Sequence, residues 1–285
     1  MLVDHFNHLL TFLAAYPQYH ARDSVFYRFV EGLAKQAFHE AQPSFAAGEA
    51  VTIGEVGPVF LPYEKMGAID SIDLFGLDEL LMFAFYYRNR GRYKTAADIG
   101  ANIGLHSIVL AKCGMDVEAY EPDPAHHDKL IRNLKLNDVT QCTVHQAAVS
   151  EKDGMMQFVR VLGNTTSSHL AGAKPNPYGE LERFDVAVRD IRPIAERVDL
   201  FKIDAEGHEA ILLSALGDDA WEQADAFVEI GTPENARAVF DRFDGTEINI
   251  FSQKRGWARA GSVADLPVSY KEGGVFVSKK PVMPW

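Results

Sequence analysis

One stretch constrains this chain more than any other. It is Ala97-Asp98-Ile99-Gly100-Ala101-Asn102-Ile103-Gly104-Leu105-His106, followed at position 121 by a glutamate. Residues 95–99 read as a short buried strand and 105–113 as the helix after it. Between them lies Gly-x-x-x-Gly, with a carboxylate at the strand tip. Gly100 permits a sharp turn where a side chain would clash. Gly104 lets the helix begin close to a ligand, its free N–H groups facing outward. A second strand, 116–120, ends at Glu121, 21 residues after Gly100. An acid at that offset in a βαβ unit accepts hydrogen bonds from ribose hydroxyls. The pattern points to a nucleoside-containing cofactor.

A dinucleotide is the weaker fit. Its G-x-G-x-x-G fingerprint needs glycine where this chain has Asn102, because backbone must approach a pyrophosphate there. Asp98 and Asn102 instead offer side-chain oxygens, which suit an ammonium group or another cationic centre. S-adenosylmethionine carries an amine, a sulfonium, a carboxylate and a ribose. Its expected contacts are Asp98, Gly100, Asn102, Gly104, His106, Glu121 with Pro122, and Ala148, whose small side chain lets an adenine ring approach. The competing reading is a glycine turn that merely packs a helix on a sheet.

Composition narrows the partners. With 28 basic and 40 acidic residues, the net charge of −12 opposes binding to a nucleic-acid backbone. Cys113 and Cys142 form no C-x-x-C pair, which argues against zinc and suits a reducing compartment. The N-terminus has no basic flank before Arg22 and no long apolar run. The expectation is a cytoplasmic protein without a membrane span.

Residues 2–41 read as helical. Leu2, Phe6, Leu9, Leu13 and Tyr16 make one stripe, and Phe26, Phe29, Val30, Leu33 and Phe38 a second. These stripes would dock on the main domain or join two copies into a homo-oligomer. A small hairpin at 50–53 and 59–61 completes an N-terminal extension over 1–75, and the main domain spans 76–285. That domain opens with a helix at 78–90. Further strands are expected at 141–146, 198–203, 225–230, 246–251 and 274–278, with helices at 124–136, 207–216 and 233–243. Alternation of this kind argues for a parallel sheet. Between 154 and 190 it lapses into a strand pair, 156–161 and 184–188, joined by a polar loop and a Pro-rich loop. An excursion this long is usually functional.

The second informative cluster is Lys202-Ile203-Asp204-Ala205-Glu206-Gly207-His208-Glu209. Catalytic groups in open α/β sheets gather at such strand ends. Asp204, Glu206 and His208 are the catalytic candidates, and Asp204 alternatively grips the cofactor. The plain alternative is capping, with Asp204 as N-cap and Glu206 or Glu209 in the first turn. A metal site is the weaker reading. Asp123 reads as a cap before Pro124. Glu229, in an otherwise apolar strand, needs a partner or faces the substrate. Glu79, Thr166 and Ser167 are further substrate candidates.

Asp98-Ile99-Gly100-Ala101-Asn102-Ile103-Gly104, Glu121-Pro122, Leu134-x-x-Asn137, Ala148-Val149-Ser150 with Gly154, and Lys202 through Glu209 together resemble the FkbM-type family of S-adenosylmethionine-dependent methyltransferases. The resemblance runs from about residue 75 to 231. It implies a class I methyltransferase fold: a seven-stranded α/β sheet, the last strand inserted antiparallel, with helices on both faces. It also implies methyl transfer to a hydroxyl of a sugar, glycan or polyketide-type molecule, by in-line displacement aided by a base. Two other readings compete. One is a nicotinamide-dependent oxidoreductase. The other is a non-catalytic nucleoside-binding or assembly module.

Overall fold

A computed structural model describes residues 8–174 and 179–285; Leu2 and Phe6 of the first stripe, and part of the Pro-rich loop, lie outside the described residues. The N-terminal region forms α1 (Leu9–Ala15), α2 (Val25–Glu40), α3 (Gln42–Ala47) and a hairpin of β1 (Val51–Ile53) and β2 (Gly57–Val59). Then follow α4 (Leu77–Arg88), β3 (Thr95–Ile99), α5 (Leu105–Lys112), β4 (Asp116–Tyr120), α6 (Pro124–Leu136) and β5 (Cys142–His145). The excursion contains β6 (Ala148–Ser150), β7 (Gly154–Val161), β8 (His169–Leu170) and β9 (Leu181–Asp190). The chain continues through α7 (Ile191–Ala195), β10 (Leu200–Ile203), α8 (Glu209–Ala215), β11 (Asp225–Glu229) and α9 (Pro233–Phe243). It closes with β12 (Asn249–Ser252), β13 (Ala258–Arg259) and β14 (Gly274–Ser278).

The main sheet has the order β13-β12-β14-β11-β10-β3-β4-β5. From β5 to β11 every pair is parallel, and β14 runs antiparallel between β11 and β12. This is the expected seven-strand arrangement. An eighth strand, the two-residue β13, is added at the edge. Period-two alternation explains why both faces are covered. Leu200, Phe227 and Phe276 point into one core with α4, α5 and the N-terminal helices. Phe201, Ala226, Val275 and Val277 point into the other with α8 and α9. Among the described residues no helix is long and apolar enough to cross a membrane.

The N-terminal helices dock on the main domain through α4, with Leu10 and Leu13 fully buried. Burying one such leucine stabilises the fold by about 1.5–3 kcal/mol. The second stripe is corrected by the structure. The inner face of α2 is Tyr27, Val30, Ala34, Ala37 and Phe38, whereas Phe29 is 66% exposed. The small side chains of Ala34 and Ala37 let α2 approach its neighbours closely.

The excursion folds into a second sheet, β6-β9-β7-β8, where only a strand pair was expected. Two of its strands are three and two residues long, too short to show a periodic pattern. This sheet carries the loop 162–168 back to the N-terminal region. Gly163 O accepts from Ala68 N at 2.8 Å, and Met66 O accepts from Thr165 N at 3.1 Å. Gly67, at φ +88°, has to be glycine: a Cβ would lie 2.2 Å from Gly163 O.

Candidate active site

Sheet register builds the site. Ile99 pairs with both Tyr120 and Ile203, and Ile203 pairs with Val228. The next residue of each strand therefore falls in one row along the C-terminal edge: Gly100, Glu121, Asp204 and Glu229. That row borders a cavity of about 570 Å³. The turn after β3 and the turn after β10 press together there. A Cβ on Gly100 would sit 1.9 Å from Asp204 O, and its φ is +76°. Only glycine fits this close approach.

The β3–β4 side is built from local backbone. Glu121 is 5% exposed. Its Oε2 accepts from Asn102 N and its Oε1 from Asp123 N, each at 2.8 Å. Burial nevertheless pushes its carboxyl up to about 8, against the lowering effect of those two bonds. Asn102 adopts φ +52°, and its Oδ1 is buried without a hydrogen-bond partner. Asp123 caps α6 through Ala125 N, as the sequence suggested, and also pairs with Arg160 at 2.6 Å.

The β10–β11 side is built from distant side chains. Lys202, in the apolar strand β10, donates to Gly100 O at 3.2 Å and Asp204 Oδ2 at 3.3 Å, with Asp98 Oδ1 at 3.7 Å. Burial disfavours its charge, but Asp204 and Asp98 outweigh burial and raise its pKa. Asp204 Oδ1 is buried with no partner. Burial, followed by the charges of Asp204, Glu206 and Glu79, raises the Glu229 carboxyl well above the ordinary range. Glu206, at φ +51°, meets Lys174 and accepts from Tyr270 OH at 3.0 Å. Burial, with Asp204 adding to it, pushes its carboxyl up to about 7.

Of the residues singled out from sequence, Gly100, Asn102, Glu121, Pro122, Ala148, Thr166, Ser167, Asp204 and Glu206 line the large cavity, together with Glu79 and Glu229. Others lie elsewhere. Asp98 is fully buried behind the row, accepting from Ser107 Oγ at 2.6 Å. Gly104 packs against α6, where a Cβ would meet Leu130 Cδ1 at 2.3 Å. His106 is not on the cavity wall but bonds Glu79 at 2.6 Å and Tyr86 at 3.1 Å. His208 is 5% exposed and bonds Ser150 Oγ at 2.8 Å, also away from the cavity. Burial lowers its pKa. The capping expectation changes as well. Helix α8 begins only at Glu209, whose carboxylate accepts from Ala205 N at 2.9 Å and from Gly207 N. That bond holds the turn carrying Asp204 and Glu206.

Three residues that line or support the site were not assigned a role from sequence: Lys202, Tyr270 and Lys174. Lys202 was detectable, since a lysine inside an apolar strand needs a partner, as Glu229 does. Tyr270 and Lys174 sit in irregular segments and give no local signal.

Comparison with known proteins fits this geometry. Residues 98–256 match the Methyltransferase FkbM domain. The chain is 29% identical over 196 residues to methyltransferase sdnD of Sordaria araneosa, covering 56% of this chain and 76% of that relative. It is 27% identical over 154 residues to methyltransferase 1 of Beauveria bassiana (strain ARSEF 2860), covering 46% and 61%. Among solved structures, a ribosomal protein L11 methylase from Lactobacillus delbrueckii subsp. bulgaricus aligns with TM-score 0.38 at 14% identity, over 71% of this chain and 79% of that one.

Proposed function

The chain belongs to the FkbM methyltransferase family, and we propose that it transfers a methyl group from S-adenosylmethionine to a hydroxyl of a sugar, glycan or polyketide-type small molecule. The reading rests on one observation above others: Asp204, with a buried and unpartnered carboxylate oxygen, stands in the same strand-end row as Glu121. When bound, S-adenosylmethionine would supply a sulfonium methyl for an acceptor oxygen to attack, a carbon–oxygen bond forming as the carbon–sulfur bond breaks and leaves its electron pair on sulfur.

The residues present fit such a cofactor. A cavity of about 570 Å³ falls within the range of small-molecule sites, roughly 300–1,000 Å³. Each Glu121 oxygen accepts one backbone N–H, and ribose hydroxyls, which both donate and accept, could complete its hydrogen bonding. Asn102 Oδ1 is a buried acceptor lacking a donor, which suits an ammonium group. Asp204 would take the acceptor's proton, and Lys202 fixes its other oxygen. Glu229, whose carboxyl burial raises well above the ordinary range, would hold the hydroxyl by hydrogen bonding. His208 has no part in this scheme because it does not reach the cavity.

Calorimetric titration with S-adenosylhomocysteine, NAD and NADP tests the cofactor. Binding of S-adenosylhomocysteine alone is expected; binding of NAD or NADP alone would overturn the reading. A label-transfer screen then tests the acceptor atom. Methylation confined to nitrogen or carbon would overturn transfer to oxygen.

A further inference from the structure

A second, smaller cavity of about 230 Å³ adjoins the first. The two share Glu79, Asp204, Glu229 and Tyr270 as lining residues. Its size lies below the roughly 300–1,000 Å³ of complete small-molecule sites, so it suits one ring or the end of a larger molecule. Much of its wall comes from outside residues 98–256. Arg22, Asp78 and Met82 precede that segment, and Trp257, Tyr270 and Gly274 follow it.

The polar groups on this wall are unevenly committed. Asp78 is saturated: Oδ1 accepts from Tyr27 OH at 2.7 Å and from Gln253, and Oδ2 meets Arg22. Arg22 also donates to Lys271 O at 2.8 Å. Lys202 is held by Gly100 O and Asp204. Both cations of the wall among the described residues therefore have their charge matched by a wall carboxylate, Arg22 by Asp78 and Lys202 by Asp204. Apart from Arg22 Nε, a buried donor without a partner, what remains is carboxyl oxygen, above all the unpartnered Oδ1 of Asp204. Such a wall requires donors from its ligand. Met82, Phe227 and Trp257 supply the apolar surface that a sugar ring or polyketide carbon chain would cover. Tyr270 stands where the cavities meet. Its ring lies against Gly231, where a Cβ would be 2.1 Å from Cζ, and its hydroxyl donates to Glu206.

Building on the methyl-transfer reading above, we infer that this smaller cavity is the acceptor compartment, that it admits an uncharged, hydroxyl-bearing group and that it rejects phosphorylated or carboxylated ones. Selectivity then resides mainly in the N-terminal and C-terminal segments flanking the family domain. The carboxyl of Glu229, on the wall of both cavities, offers such a group a further hydrogen-bonding partner.

The test needs no identified acceptor. Two analogues of S-adenosylhomocysteine are titrated in which nitrogen replaces sulfur, one bearing a 3-hydroxypropyl chain and the other a 2-carboxyethyl chain. The hydroxyl-tipped analogue should bind roughly tenfold or more tightly than the carboxylate-tipped one, because a buried unpaired charge is costly. Gly76→Leu and Met82→Trp fill the small cavity. Gly76 tolerates a side chain, with φ −61° and only Asp73 O within 4 Å of a built Cβ, at 3.9 Å. Both variants should lose the preference yet bind S-adenosylhomocysteine within about threefold of wild type. Should Met82→Trp not fold, Gly76→Leu carries the test. Equal affinities in wild type, or a preference retained in the folded variants, would overturn the inference. Failure of wild type to bind S-adenosylhomocysteine would instead remove the cofactor reading beneath it.

Discussion

The two halves of the strand-end row solve the same problem differently. Both bring a carboxylate out of water at a strand tip. On the β3–β4 side, Glu121 is satisfied by two backbone N–H groups, one of them two residues away. On the β10–β11 side, Asp204 is held by Lys202 and Glu206 by Lys174 and Tyr270, with Glu229 beside them on the cavity wall. Backbone donors cannot move or change protonation, so the first half makes a fixed recognition surface. Side-chain partners can exchange protons, so the second half suits proton transfer. The difference matches the proposed division between binding and chemistry along one edge of one sheet.

The strongest way to break this comparison is to remove the proton acceptor. Asp204→Asn should lower turnover by about 10²–10⁴-fold, the range for loss of a general base, while S-adenosylhomocysteine binds nearly as before. His208→Gln, buried outside the cavity, should leave turnover within about threefold. Steady-state rates paired with titration check both. Comparable losses in the two variants would merge the roles assigned to them.

The next effect belongs to the other half. Glu121→Ala deletes an acceptor and orphans the N–H groups of Asn102 and Asp123. Affinity for S-adenosylhomocysteine should fall by about 1–3 kcal/mol, with little further change in kcat once cofactor is saturating. Loss of kcat at saturation would place Glu121 in the chemistry.

The last effect is a pH dependence of stability, small over any single pH unit. The folded Glu121 carboxyl lies at about 8, above its ordinary value of 4.5. Its contribution to stability is therefore fully present below pH 4.5 and is lost as pH rises through about 8. A group of this kind lowers stability by at most about 1.4 kcal/mol per pH unit inside that window. Glu121→Gln should flatten the decline between those limits, measured by denaturant unfolding at fixed pH. An unchanged slope would show that the buried carboxyl is not what titrates.

Much of the scaffold was legible because it rests on short-range patterns. The strands 95–99, 116–120 and 274–278 and the helices 124–136 and 233–243 fall where alternation and Pro-marked caps put them. Gly100 and Glu121 reach the cavity wall for the same reason, since turn geometry and a fixed βαβ offset act over some twenty residues. His106 and His208 misled because composition near a strand end does not say which way a side chain turns. In both, the ring faces a buried partner, Glu79 or Ser150, instead of the cavity.

The sequence by itself determined the parallel sheet, the glycine turn after β3 and the placing of carboxylates at its C-terminal edge. Each follows from steric and hydrophobic constraints between neighbours in the chain. Only the tertiary structure decided which carboxylates share one edge with Lys202, that Tyr270 lies against Gly231, and that Arg22 and Trp257 face a common cavity. Those residues are brought together by burial of two hydrophobic cores on opposite faces of the sheet. That driving force is non-directional and acts across the whole chain, so no local pattern records which distant side chains it brings into contact.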